Sequence, residues 1–238
     1  MLASACHGTE PRVPTPAPTE ARAAAVPIAL NPQLEAAFKT WEQQGPSGEA
    51  EHRQRLEKLA AAIRGRLSEK KEADVLFVCT HNSRRSHMAQ LLGLAAARRR
   101  GLSTVRTFSG GTEATAFNPR AIAALQRVGF EIEGAEGTNP HHLVRLSPSL
   151  DPAEAYSKRF TDPPNPSSGF IVVMTCSQAD AACPYVEGAA ARVAVPYDDP
   201  KIADGTPEEA ARYDERVAQI GRDLAWVFAN VSGGAPRE

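Results

Sequence analysis

The chain has 238 residues, of which 42% are hydrophobic and 23% are charged, as is typical of a globular protein and not of a mainly disordered one. The 27 Lys and Arg residues nearly balance the 28 Asp and Glu residues, so the net charge of -1 favours neither nucleic acid nor an anionic membrane surface as a partner. No apolar run approaches the roughly 18–20 residues of a transmembrane helix, and four cysteines are too few for a disulfide scaffold.

The two ends of the chain lack a folding pattern. Residues 1–31 are rich in proline, alanine and threonine, so we expect a disordered tether there, and a disordered tail at 233–238. Cys6 follows Leu2-Ala3-Ser4-Ala5, which is similar to the end of a bacterial lipoprotein signal without its charged start. Two locations therefore stay open: the cytoplasm, or the cell envelope with a lipid anchor on Cys6.

Residues 32–71 predict a helical extension of two helices. Apolar residues recur at helical spacing in both: Leu34, Phe38 and Trp41 in the first, and Leu56, Leu59, Ile63 and Leu67 in the second. The segment QQGPSGE at 43–49 separates them. We interpret the pair as a hairpin that packs on the back of the main domain, with a partner-binding or dimerising helix as the alternative.

Residues 72–232 alternate short apolar runs with amphipathic segments, which is the pattern of a parallel α/β domain. Four runs predict buried strands, at 75–79, 105–111, 170–176 and within 191–200. Helices are predicted after the first strand up to Gly101, from Asn118-Pro119 to Gly129, and after a capping box at Thr206-Pro207-Glu208-Glu209. The predicted fold is an open four-stranded parallel sheet flanked by helices.

The loop after the first strand predicts an oxyanion site with a reactive sulfur. Its sequence is Cys79, five residues and then Arg85-Ser86, at the start of a helix. Backbone N–H groups of such a loop and the helix N-terminus favour a tetrahedral anion and a thiolate, while the Arg85 fork can bind two of the anion's oxygens. We expect Ser86 to donate a hydrogen bond to the sulfur and Asn82 to brace the loop.

Two other groups follow strand ends and should reach the same edge of the sheet, since parallel strands end there together. They are Cys176 and the pair Asp198-Asp199, which precedes Pro200. A carboxyl held beside a bound anion can stay protonated and act as a general acid.

These features resemble the low-molecular-weight protein tyrosine phosphatase family and its arsenate reductase branch, over about residues 74–231. The resemblance implies that Cys79 is the nucleophile, that Asp199 is the acid and base with Asp198 as the alternative, and that loop residues bind the oxyanion: Thr80, His81, Asn82, Ser83, Arg84 and Arg85. His81 and Arg84 depart from the usual pattern, and the charge of Arg84 could favour a more anionic ligand.

The segment MTCSQADAACP resembles the resolving segment of thioredoxin-coupled arsenate reductases, at Cys176, Ser177, Ala179, Asp180, Cys183 and Pro184. The resemblance implies a relay in which Cys176 attacks the Cys79 adduct and Cys183 then forms a disulfide with Cys176. Seven helical residues span about 10.5 Å, whereas a disulfide needs Cα atoms within about 7 Å. The segment between them must therefore unwind on oxidation.

The stretch 136–168 is long, polar and proline-rich, and it contains Tyr156, Lys158, Arg159 and Phe160. It is interpreted either as a lid or partner-recognition loop or as an ordered surface insertion.

Three functions are considered. The first is reduction of arsenate with a thioredoxin-like reductant. The second is hydrolysis of phosphomonoesters, including those of phosphotyrosine proteins, through a phosphocysteine at Cys79. The third is a non-catalytic oxyanion-binding module. No metal site and no cofactor are predicted, because the cysteine spacing lacks the close pairs of a zinc site and no spacing links His87, His141 or His142 to the cysteines.

Overall fold

A computed structural model of the chain describes residues 26–134, 136–183 and 185–233. Most of the predicted tether with Cys6, the tail at 234–238 and Pro184 lie outside these residues. Residues 30 and 31, which the sequence placed in the tether, pack against the domain: Leu30 is 5% exposed, and Asn31 is buried and donates to the Gly129 carbonyl. Within the described ranges, no helix is long and apolar enough to cross a membrane.

The helices and strands follow one another in chain order. They are α1 (Pro32–Gln44), α2 (Ala50–Lys70), β1 (Ala73–Cys79), α3 (Arg85–Arg99), β2 (Val105–Gly111), α4 (Pro119–Arg127), β3 (Glu131–Glu133), β4 (His142–Arg145), β5 (Ala153–Ala155), β6 (Phe170–Met174), α5 (Ser177–Ala182), β7 (Ala189–Ala194), a 3₁₀ turn (Pro200–Ala203) and α6 (Glu209–Val231).

The main sheet has four parallel strands in the order β2-β1-β6-β7, which confirms the predicted fold class. Val78 pairs with Met174, and Cys79 pairs with Gly111, so the strands that flank the reactive loop end together. Because β1 lies in the middle, its side chains are buried on both faces.

The two faces of the sheet have different coverings. Val75 and Phe77 belong to the large core that α1, α2, α3 and α6 cover. Leu76 and Val78 belong to a smaller cluster that includes Cys79, Cys176 and Ala179 of α5. Helix α5 and the helical extension therefore pack on opposite faces of the sheet.

The helical extension is part of the large core. The apolar residues Leu34, Phe38 and Ile63 are fully buried, and Trp41 is 5% exposed. A Cβ atom on Gly221 of α6 would lie 2.5–2.8 Å from the Trp41 ring, so this glycine makes room for α1. The extension thus packs against α6 along its apolar stripe.

The long polar stretch at 136–168, expected to be either a lid or partner-recognition loop or an ordered surface insertion, contains regular secondary structure. It contains most of a small antiparallel sheet, in the order β3-β4-β5, which the polar sequence did not indicate. After this sheet the chain returns to the main sheet, where Gly111 N–H donates to the Lys158 carbonyl and Phe160 N–H donates to the Gly111 carbonyl.

The predicted capping box at the start of α6 is wrong. The helix begins at Glu209, and the Thr206 hydroxyl donates to the Ala203 carbonyl instead of capping the helix. The Glu209 carboxylate accepts from the Gly205 N–H. Thr206 is therefore bound to the last residue of the preceding 3₁₀ turn, Ala203, and the pattern Thr-Pro-Glu-Glu belongs to the turn between the two helices.

Candidate active site

Cys79 lies at the end of β1, 3% exposed, with its sulfur 3.1 Å from the Ser86 hydroxyl. The Asn82 side-chain amide donates to the same hydroxyl oxygen at 2.8 Å. Because the Asn82 N–H₂ group can only donate, the single hydroxyl proton of Ser86 is free to point at the sulfur. The Cys79 sulfur can therefore accept this hydrogen bond.

Asn82 braces the loop from both sides. Its φ angle is 43°, a left-handed conformation that asparagine tolerates better than most residues. Its side-chain oxygen accepts from the Lys158 N–H at 2.9 Å. The loop is therefore fixed to the segment that follows β5.

The loop carbonyls turn outward. At 2.9–3.0 Å, Thr80 O accepts from Glu113 N, His81 O accepts from the Thr115 hydroxyl, and Ser83 O accepts from Asn118 N. In a trans peptide the C=O and the following N–H point in opposite directions. The N–H groups of His81, Asn82 and Arg84 therefore face away from these neighbours, and together they can hold an oxyanion.

Arg85 is the first residue of α3 and is 6% exposed. One terminal nitrogen donates to the Tyr197 carbonyl at 2.9 Å, and the other donates to Asp199 Oδ2 at 2.8 Å. The structure thus brings Asp199 to the guanidinium. Asp198 points outward with its side chain 97% exposed, and lies 3.8 Å from Arg216. Of the two carboxylates, Asp199 contacts Arg85 and Asp198 faces away from it.

The Arg84 side chain does not add an uncompensated charge to the loop. Its Nε donates to the Tyr213 hydroxyl at 2.9 Å, and its terminal nitrogens lie 3.8 Å from Asp199 and from Asp204. Burial and the Asp204 carboxylate raise the pKa of Tyr213 to about 12, so this hydroxyl stays protonated. Arg84 therefore ties the loop to the turn that bears Asp199. His81, half-exposed, lies 3.7 Å from Glu113.

Cys176 lies beside the loop. It follows β6, is fully buried, and accepts a hydrogen bond from Ala179 N–H at the start of α5. Its sulfur is 3.6 Å from the Thr80 hydroxyl. Cys183 is half-buried at the other end of α5, and Cys79, Cys176 and Cys183 are all free thiols. The structure thus places Cys79 and Cys176 on one edge, with Cys183 one short helix away.

No group of three or more His, Cys, Asp or Glu side chains in the described ranges is arranged to hold a metal ion.

A buried basic cluster under the loop was missed by the sequence reasoning. His87 stacks on Phe117 with ring centroids 4.1 Å apart, and burial, with the nearby charge of Lys158, lowers its pKa to about 3. Burial also lowers the pKa of Lys158 to about 8, and its ammonium lies 4.5 Å from the Tyr156 ring centre. His87 directly follows Ser86, which was the one sequence signal for this cluster. The position of Lys158 could not be predicted, because it lies in a segment distant in sequence.

His87 should make the protein acid-sensitive. Its folded pKa lies below the usual 6.5, so the stability it provides is present above pH 6.5 and is lost as the pH falls toward 3. The free energy of unfolding should fall by up to about 1.4 kcal/mol per pH unit from this group. His87→Phe, which keeps the ring stack, should reduce that slope in urea unfolding between pH 7 and 4. His141→Gln changes a half-exposed histidine and is the control; parallel curves for all three proteins would contradict the assignment.

The chain is similar to known phosphatases and arsenate reductases. The family model "Low molecular weight phosphotyrosine protein phosphatase" matches residues 74–145. The arsenate reductase of Bacillus subtilis is 30% identical over 156 residues, which cover 63% of this chain and 91% of that protein. The arsenate reductase of Halalkalibacterium halodurans is 30% identical over 152 residues, with the same coverage. A solution structure of a low-molecular-weight protein tyrosine phosphatase from Bacillus subtilis has 19% identity and a TM-score of 0.44, over 67% of this chain and 97% of that one.

The chain belongs to the low-molecular-weight phosphotyrosine protein phosphatase family, in the branch that contains its arsenate reductase relatives. It is accordingly an enzyme of the arsenate reductase or phosphatase type, and the hypothesis of a non-catalytic module is set aside.

Proposed function

We propose that this protein reduces arsenate to arsenite through a relay of Cys79, Cys176 and Cys183. The observation that carries the proposal is the contact of 3.6 Å between the Cys176 sulfur and the Thr80 hydroxyl, which brings a second thiol against the loop that begins at Cys79. A hydrolase that uses only Cys79 does not need this thiol. This chain covers 91% of the relatives from Bacillus subtilis and Halalkalibacterium halodurans, which are named arsenate reductases, and this similarity supports the same reaction.

In the first step, arsenate binds to the loop amides and Arg85. The Cys79 thiolate attacks arsenic, and the oxygen of an As–OH group leaves as water after taking up one proton from the Asp199 carboxyl. The product is a covalent Cys79–S–As(V) adduct. The Ser86 hydroxyl, 3.1 Å from the sulfur, stabilises the thiolate before this attack.

In the second step, the Cys176 thiolate attacks the Cys79 sulfur. The S–As bond breaks and its electron pair stays on arsenic, which leaves as As(III) in arsenite. The two sulfurs have together given two electrons and are joined as a disulfide.

In the third step, the Cys183 thiolate attacks Cys176, and Cys79 is released as a thiolate. The Cys176–Cys183 disulfide is then reduced with two electrons by an external dithiol protein of the thioredoxin type.

The relay requires α5 to open. Six helical residues extend about 9 Å, so Cys176 and Cys183 cannot bond across the intact helix. Only Ala179 of α5 is buried, and Arg192 of β7 holds the helix by donating to the Asp180 side chain and to the Cys183 carbonyl at 3.0 Å. Release of these polar contacts exposes little apolar surface, so the opening is inexpensive.

Cys183→Ser should limit the enzyme to one turnover. Without an external reductant, it should release about one arsenite per chain and accumulate the Cys79–Cys176 disulfide, which mass spectrometry identifies. Cys176→Ser should release none, because the As(V) adduct then lacks an attacking thiol. Cys6→Ser, outside the motif, should keep the wild-type turnover with the thioredoxin system. Continuous arsenite production by Cys183→Ser with that system would refute the relay.

The second candidate is hydrolysis of phosphomonoesters. It is favoured by an open cleft of about 680 Å³ beside Asp199, which is larger than an oxyanion needs; its lining residues are Asp198, Asp199, Lys201, Ile202, Arg212 and Arg216. Asp199 would protonate the leaving oxygen and then accept a proton from the water that attacks the phosphocysteine. Assays of arsenate and an aryl phosphate on Cys176→Ser separate the two reactions, because only arsenate reduction requires this thiol.

A further inference from the structure

A fully buried carboxylate links the helical extension to the active site. Asp223 of α6 accepts hydrogen bonds from the Ser47 N–H at 2.7 Å and the Ser47 hydroxyl at 3.0 Å. His52 of α2 also donates to this carboxylate, with its Nε2 2.7 Å from Asp223 Oδ2. A carboxylate can only accept, so each of these groups supplies a proton.

The same cluster contacts the strand end that leads to Asp199. The Tyr197 ring lies edge-to-face on the His52 ring with centroids 5.8 Å apart, and it is 6% exposed. Burial, then the Asp223 carboxylate, raises the pKa of Tyr197 well above its usual value. Tyr197 therefore lies between the cluster and the site.

Tyr197 also contacts the oxyanion-binding arginine directly. Its backbone carbonyl accepts from Arg85 at 2.9 Å, and Asp199, two residues later, accepts from the other nitrogen of the same guanidinium. The position of both acceptors depends on how residues 197–199 are held.

We propose that Asp223 is a positioning residue: with Ser47 and His52 of the extension, it fixes Tyr197 and thereby the orientation of Arg85 toward the oxyanion. This inference rests on the proposed role of Arg85 as the oxyanion ligand. It assigns the extension a part in the reaction, although the family-model match begins only at residue 74.

The energetics support a dependence on the extension. A buried carboxylate is tolerated when its lone pairs are occupied by donors, and an unsatisfied one is strongly destabilising. Three of the donors to Asp223 come from Ser47 and His52. Loss of these donors would favour movement of Asp223 and its neighbour Tyr197.

The test uses the full chain and inorganic phosphate as the probe of the oxyanion site. Asp223→Asn and His52→Ala should each weaken phosphate binding about tenfold and raise KM for arsenate more than they lower kcat. His52→Gln, which keeps an N–H donor, should restore the affinity to within about twofold of wild type. Tyr197→Phe keeps the backbone carbonyl, so its phosphate affinity should lie between that of the wild type and that of Asp223→Asn. This variant also tests the proposal if Asp223→Asn does not fold.

The control is Ile63→Val, which weakens the packing of α2 without contact with Asp223. Ile63→Val should lower the free energy of unfolding about as much as Asp223→Asn and His52→Ala do. If those two variants nevertheless bind phosphate with wild-type affinity, the positioning role is overturned. A tenfold loss in Ile63→Val as well would also overturn it, since general loosening would then be sufficient. If the wild type binds no phosphate, the proposed function fails instead, and the two failures are distinguished.

Discussion

Arg85→Lys is expected to lower kcat/KM for arsenate by about 10²–10³-fold, which is the usual loss for one donor to a developing anion. A lysine ammonium carries the same charge but lacks the planar fork that binds two oxygens. Its donors also sit on a single nitrogen, whereas the guanidinium contacts the Tyr197 carbonyl at 2.9 Å and Asp199 at 2.8 Å through two separate nitrogens. Asp199, the proposed general acid, would therefore lose its contact with residue 85, and the oxyanion would lose a ligand.

The measurement is steady-state arsenite production with the thioredoxin system, together with the affinity for phosphate. Arg84→Lys is the matched control, since it changes the adjacent arginine, whose side chain contacts Tyr213 and two carboxylates. We expect a loss below about tenfold there. Equal losses in both variants would mean that overall positive charge, and not the fork of Arg85, determines oxyanion binding.

The parts of the fold and of the candidate site that could be predicted from the sequence depend on residues close together along the chain. A short apolar run, Cys79, a five-residue gap and Arg85 lie within one strand–loop–helix unit, so their proximity follows from chain connectivity. The parallel sheet adds Cys176, because the ends of β1 and β6 meet at one edge. For this reason the fold class and the set of residues at that edge could be stated without coordinates.

The features that sequence could not predict depend on long-range packing. Asp198 and Asp199 are identical in type and adjacent, and only the turn of the chain after β7 decides which one faces Arg85. Lys158 reaches the loop from a stretch without periodicity, through a backbone N–H that every residue except proline possesses. Asp223 is separated from Ser47 by 176 positions, and helical periodicity placed it on α6 without indicating a partner.

Arg84 illustrates how local reasoning on charge can fail. The sequence expectation was that its charge would favour a more anionic ligand. In the structure Tyr213, Asp199 and Asp204 surround its guanidinium, so the charge is compensated within the protein. The residue joins three parts of the site, and its contribution is to hold the turn that carries Asp199.

Gly111→Ala is expected to reduce kcat/KM for arsenate by about 10²-fold, which is the loss that displacement of reacting groups by about 1 Å can cause. Gly111 ends β2 beside Cys79. A Cβ atom there would lie 2.7 Å from Asn82 N and 2.7 Å from Thr80 O, and still closer to Glu113 O. All three are backbone atoms, so no side chain can move aside and the loop itself must shift. The methyl group would also crowd the Asn82 amide, which is proposed to bind the oxyanion.

The same clash should lower the free energy of unfolding by about 1–3 kcal/mol, as overpacking does elsewhere. Gly65→Ala is the control, because its Cβ would meet nothing within 4 Å, and it should stabilise α2 by up to about 1 kcal/mol. Gly110→Ala separates the loop from the neighbouring segment, since its Cβ would instead meet Phe160. Wild-type turnover in Gly111→Ala together with lost turnover in Gly110→Ala would contradict this prediction. The packing of residues 156–160 against β2, and not the shape of the loop, would then determine oxyanion binding.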